Sequence, residues 1–200
     1  EERGLEADAD ARIETALELD PESWEVNKEA ARVRMRQHRL GDATALLEKA
    51  VTLMEADVHA WARLVTLHHA LKNRSAEKIA AEKTISEAEE ILAADPSNGA
   101  AMSFGALAHA ALGKSERARE WIERALLVDP DNLSMHYNFA SALAGFVGDS
   151  EAALRHLERS LATAGVFHLN LVEADPDLDP LRDHPRFQEI LAAARKRLGI

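Results

Sequence analysis

The chain contains no cysteine. Disulfides, thiol nucleophiles and thiolate metal sites are therefore excluded, although this leaves the compartment undecided. Glycine and proline are sparse, at nine and six residues, and aromatics make up only 4%. With Ala, Leu, Glu and Arg abundant, that composition points to an all-α protein with a core of Leu, Ile, Val and Ala. No apolar run approaches the roughly 18 residues a membrane-spanning helix needs, so membrane insertion is not expected. Positive charge is in deficit. The formal net charge is −11, whereas a nucleic-acid binder needs a large basic surface, so nucleic acid is not an expected partner. P-loop, dinucleotide, zinc-protease and nucleophile-elbow motifs are all missing. What is present is 46% hydrophobic and 30% charged residues, the balance of a folded chain. The opening EERGLEADAD has neither an initiator Met nor a signal pattern and reads as a piece of a longer protein, with the cytoplasm as the expected compartment.

Three hexapeptides read alike: ALELDP at 16–21, ILAADP at 91–96 and ALLVDP at 125–130. Pro96 and Pro130 stand 34 residues apart, the period of the tetratricopeptide (TPR) helix–turn–helix repeat. With the register set on Pro130, Met102, Ala106, Gly113, Ala118, Ile122 and Ala125 fall on the large, small, glycine, small, large and small positions of that repeat. Small residues let two antiparallel helices approach, and large ones fill the gaps between them. Gly113 is placed to end the first helix in a left-handed cap, and Pro130 cannot continue the second. Pro21 precedes Pro96 by 75 residues, seven more than two periods. Glu55 stands in the missing proline position, and seven residues are about two helical turns. The extra length is therefore assigned to the helix at 76–94.

This register gives a partial leading repeat at 5–23, with its helix at 5–20, and repeats at 24–57, 58–98, 99–132 and 133–165. The last repeat holds one extra residue in the turn AGFVGD. Residues 1–165 are expected to form the solenoid and residues 166–200 a C-terminal cap. In the cap, two proline-started turns lead into a helix at about 185–198, with Leu178, Leu181, Phe187, Ile190 and Leu191 facing inward. The expected fold is an all-α, TPR-type solenoid: a right-handed superhelix of antiparallel helix pairs with a C-terminal capping helix.

Nine histidines raise the question of a metal. His68 and His69 are adjacent and diverge by about 100° on a helix. His109 and His136 fall on packing positions, and no pair at helical spacing has a third ligand nearby. No metal, cofactor or catalytic residue is expected, and the chain is read as a non-enzyme. DPDLDP at 175–180 clusters carboxylates, but each Asp–Pro reads as a cap with proline at the first helical position.

The first helix of each pair should line the concave face. The residues expected there as a peptide-binding groove are Lys28, Arg32 and Arg36, then His59, Arg63, Thr66 and His69, then Ser103 and Phe104, and finally Tyr137, Asn138 and Ser141. The first end is basic: KEAARVRMRQHR, residues 28–39, holds one Lys and four Arg against one Glu. The other end is small, apolar and neutral. Such a surface suits a protein or peptide with an acidic end and an apolar body. Lys28 and Arg32 also resemble, in part, the basic pair with which chaperone-binding TPR domains hold a C-terminal carboxylate.

The strings DPESWEVNKEAARV (20–33), DPSNGAAM (95–102), ERAREWIERALLVDPDNLSMHYNFASALA (116–144) and DPDLDPLRDHPRF (175–187) resemble the C-terminal TPR region of bacterial class III adenylate cyclases. That resemblance implies a regulatory or interaction region of a signalling protein whose cyclase domain is not in this chain. The region would recruit a partner or hold the enzyme as a homodimer. The alternative is a free-standing TPR adaptor of the co-chaperone kind.

Overall fold

The computed structural model describes the backbone of residues 2–200 and the side chains of residues 10–200. A leading helix, Glu2–Leu19 (α1), precedes four helix pairs. These are Trp24–Arg36 with Leu40–Leu53 (α2, α3), Val58–Ala70 with Arg74–Ala94 (α4, α5), Gly99–Ala111 with Ser115–Val128 (α6, α7), and Leu133–Ser141 with Ser150–Ala162 (α8, α9). The C-terminal segment adds Val166–Ala174 (α10), a 3₁₀ stretch at Pro176–Leu181, and Pro185–Leu198 (α11). The described residues form an all-α solenoid. The side chains at 5–9, in the helix expected at 5–20, lie outside the described residues.

One local code recurs at each first helix. Ser23, Asp57, Asn98 and Asn132 immediately precede α2, α4, α6 and α8, and each side chain accepts from the backbone amide three residues on. This satisfies an otherwise orphaned donor at the helix start. At the other end, His38, Lys72, Gly113 and Gly148 all take positive φ, between 56° and 76°. Only glycine does this without strain. Replacing the exposed His38 and Lys72 together by glycine should therefore raise stability by about 1 kcal/mol, with the left-handed strain outweighing glycine's extra chain entropy. A urea midpoint that stays level or falls would count against this account.

The long second helix matches the repeat arithmetic. α5 has 21 residues, whereas α3 and α7 have 14 each. Ala80, Ala81, Ala88 and Leu92 on it are buried, so the added turns keep the inward stripe. Close approach between helices is most marked at Gly105, where a Cβ would lie 2.0 Å from the Trp121 ring.

Two features depart from the expected pattern. The extra residue of the last repeat is not in the turn. It is taken up inside the helix, as a π-helical turn at Ala142–Val147 that continues α8 and ends at the left-handed Gly148. Inserting one residue into the hydrogen-bond ladder widens the helix locally. The second departure is α10, where only irregular chain was expected. VFHLNLVEA lacks a polar face with helical period and is nine residues long, too short to signal a helix by itself. It becomes helical because Leu169 and Val172 are buried against the solenoid.

The tail covers the end of the repeat stack. Leu178, Leu181 and Phe187 are fully buried, and Ile190 and Leu191 nearly so. Each fully buried large side chain stabilises the fold by about 1.5–3 kcal/mol relative to exposure. At the opposite end, buried Arg34 of α2 forms ion pairs with Asp10 and Glu14 of α1.

Candidate interaction groove

The first helices α2, α4, α6 and α8 line one concave surface, and the tail lies across it. Between the tail and the helices remains a cavity of about 390 Å³. Eight of the expected groove residues line it: Lys28, Arg32, Arg36, His59, Arg63, Phe104, Tyr137 and Asn138. Met35, Leu47, Phe167 and Leu171 add apolar wall, while Glu29 and Asp175 are its acidic members.

Four expected residues are placed elsewhere. Thr66 and Ser141 are buried beneath the tail, where they hold its carboxylates. Ser103 is fully buried, with its hydroxyl accepting from Asn138 Nδ2 at 2.9 Å and donating to the Ala100 carbonyl. His69 lies at the end of α4, 3.1 Å from Glu77 and with its ring centred 4.4 Å from that of Phe146. The repeat register gives the direction of a side chain but not what has already covered it.

The cations at the basic end differ in their partners. Lys28 Nζ lies 2.6 Å from Asp57 and 4.3 Å above the Trp24 ring. Arg32 pairs with Glu29 at 2.6 Å and stacks over Phe167 of the tail, 5.2 Å from the ring centre. Arg36 has its Nε buried with no hydrogen-bond partner among the described residues. Burial, then the neighbouring Arg32 charge, holds the Arg36 guanidinium below its ordinary pKa. His59 is pulled down to about 3 by burial, with Arg63 and Lys28 adding to the effect, so it is neutral at physiological pH.

Deeper in, the tail's DPDLDP segment forms a buried polar network. Asp175 accepts from the Tyr137 hydroxyl at 2.6 Å and from the Ser141 hydroxyl at 2.7 Å. Asp177 accepts from Thr66 at 2.6 Å. Arg63 donates to the Tyr137 oxygen at 3.1 Å. Both aspartates are almost fully buried, at 3% and 1% exposure. Burial, reinforced by Asp175, pushes the Asp177 carboxyl well above the usual carboxylate range. Burial opposes the Arg63 charge, but Tyr137, Asp175 and Asp177 outweigh it and raise its pKa. Burial also raises the Tyr137 phenol, against the opposing effect of Arg63.

The reading of DPDLDP as capping is thus half of its role. Asp175 does cap the 3₁₀ stretch, accepting from the Asp177 amide at 2.9 Å. Its second oxygen reaches across the groove, which no local rule foretells. The π-helical turn fits the same contact: a Cβ on Gly145 would lie 3.0–3.2 Å from Asp177 atoms, so the tail passes close to that glycine.

Histidine pairing was also invisible in the sequence. His136 and His156 meet with 2.8 Å between their Nδ1 atoms. His136 Nε2–H donates to the Pro130 carbonyl at 2.8 Å, which leaves His136 Nδ1 to accept from His156. Among the described residues no group of three or more His, Asp or Glu could hold a metal ion.

The architecture is that of a TPR-type solenoid, and one solved structure agrees at the level of fold. The structure described as the functional characterization of Pseudomonas aeruginosa PilF has a TM-score of 0.52 and 16% identity, covering 98% of this chain and 84% of its own. MamA 41-end from Desulfovibrio magneticus RS-1 gives 0.49 and 16%, covering 80% and 86%. A further MamA crystal structure gives 0.45 and 19%, covering 75% and 83%. Residues 105–199 match a family model described as A/B hydrolase-like, N-terminal domain. No curated protein matches the sequence.

Proposed function

We propose that this chain is a protein-binding TPR module without catalysis of its own, serving as a regulatory or interaction region of a larger signalling protein. One observation supports this most. Arg32, Arg36 and Arg63 converge on a single cavity in a concave face that already holds an acidic segment, the tail's Asp175 and Asp177, in cis. A partner with an acidic end and an apolar body is complementary to that surface. The repeat boundaries at 24–57, 58–98, 99–132 and 133–165, with the cap at 166–200, are proposed as its structural units.

Attachment to an adenylate cyclase rests on the four sequence strings. The match of residues 105–199 favours a second reading, in which the helical module belongs to a protein with an α/β-hydrolase-like catalytic part. Sequencing the complete gene separates these: an adjoining cyclase domain would support the first, an adjoining α/β-hydrolase-like domain the second, and neither would leave the free-standing adaptor.

The groove is tested by affinity capture from the native cell. Mass spectrometry identifies the partner retained by the wild-type chain. Arg32→Glu with Arg36→Glu should then weaken that partner's binding by tenfold or more, since two attractive charges become repulsive. Helical circular dichroism should be unchanged. Undiminished binding by a folded double variant would overturn the basic end as the contact surface.

A further inference from the structure

We propose that the partly covered cavity between α2, α4, α8 and α10 is a binding site for a small organic carboxylate with an apolar, preferably aromatic, body. Its size is the first reason. At about 390 Å³ it falls within the range of small-molecule sites, and the tail covers part of it while leaving an entrance beside the half-exposed Phe167. Its lining is the second. Met35, Leu47, Phe104, Phe167 and Leu171 form walls with no hydrogen-bonding side-chain nitrogen or oxygen.

The third reason is an imbalance of charge. Lys28, Arg32, Arg36 and Arg63 face the cavity, against Glu29 and Asp175. Glu29 is engaged by Arg32, and the Asp175 carboxylate by Tyr137 and Ser141. Lys28 is engaged by Asp57. Arg36 remains with a buried Nε that has no hydrogen-bond partner among the described residues. A buried guanidinium nitrogen without an acceptor is a costly arrangement, and a carboxylate is the group that matches its planar fork. Burial and Arg32 together destabilise the Arg36 charge, as its lowered pKa reflects, so a bound anion would relieve it. The apolar body would then lie along Phe104 and Phe167.

This site concerns the partly open cavity beneath the tail and needs no protein partner. It is tested on the purified 200-residue chain by calorimetric titration with 3-phenylpropionate and, separately, its neutral amide. The acid should saturate at or below about 1 mM and bind at least tenfold more tightly than the amide. Arg36→Gln should reduce acid binding at least tenfold and leave amide binding unchanged, with a wild-type circular dichroism spectrum. Arg36→Lys should recover part of the loss. Failure of the acid to saturate, equal binding of acid and amide, or an undiminished Arg36→Gln variant would each overturn the proposal. Loss of this site with partner capture intact leaves the interaction module standing, and the converse result leaves the small-acid site standing.

Discussion

Asp175→Ala should destabilise the protein by about 3–5 kcal/mol, the range for removing one member of a buried charged network. The carboxylate does four things at once. It accepts the Tyr137 and Ser141 hydroxyls, caps the Asp177 amide, and supplies negative charge beside Arg63. Alanine leaves two buried hydroxyls without that acceptor and the Arg63 guanidinium without that nearby charge, and water cannot reach them while the tail stays closed. The structure's remaining option is to open there. The tail should detach from the groove, although Phe187 and Leu191 keep α11 on the solenoid. Limited proteolysis should then cut faster around the exposed residues Ala162, Thr163 and Gly165. Asp175→Asn keeps an acceptor but loses the charge, so it should fall between wild type and alanine. A urea midpoint and a cleavage rate both equal to wild type would show that the network does not hold the tail.

Acidification from pH 7.5 to pH 5 should lower stability well before ordinary carboxylates titrate. Five histidines, His59, His68, His109, His156 and His168, all have depressed pKa values, with burial as the leading cause in each. His59 falls to about 3 and His156 to about 4. The unfolded chain binds these protons near pH 6.5 and the folded chain resists them. Stability is therefore complete above the unfolded value and is lost as pH falls toward the folded one. Each histidine contributes at most about 1.4 kcal/mol per pH unit, less where it is partly solvated. Asp177 acts in the opposite sense, because its raised pKa means the folded state takes up a proton first. Glu87, its carboxyl pushed up by burial and by Glu90, adds a weaker opposition near the surface, and two opposing groups against five histidines leave the net slope downward with falling pH. Asp177→Asn keeps an acceptor for Thr66 and removes the Asp177 opposition, so its acid sensitivity should be steeper than wild type. Urea midpoints measured across this range check both statements, and a midpoint that is level or rises toward pH 5 would refute them.

The repeat was legible because it is enforced locally. Small residues at helix crossings, a left-handed residue after each first helix, and a stop after each second helix are demands of backbone geometry, and they recur with the period. Gly113 and Pro130 state them outright. Glu55 stands at such a stop without advertising it, and the register located it; His38 and Lys72 take the left-handed position, and only the backbone angles of the structure revealed them. The seven-residue excess was equally readable, since whole turns can be added to a helix without rotating its buried stripe. The arginines could be placed by the same register: Arg32 and Arg36, four residues apart, share one face of α2, and Arg63 holds a groove-facing position on α4, the next first helix.

What occupies the groove could not be read that way. Asp175 and Asp177 lie more than 30 residues from Tyr137, Ser141 and Thr66, and their contacts depend on how the tail folds back. α10 is helical only because the solenoid buries one side of it, and the π-helical turn leaves Gly145 against Asp177. By itself the sequence determined the class of fold, the period, the insertion and the basic face, because these rest on spacing within a helix pair. The tertiary structure alone decided that the face is half-filled by the chain's own acidic tail and that a cation-lined cavity remains. Those outcomes depend on burial and charge between residues that no periodicity connects.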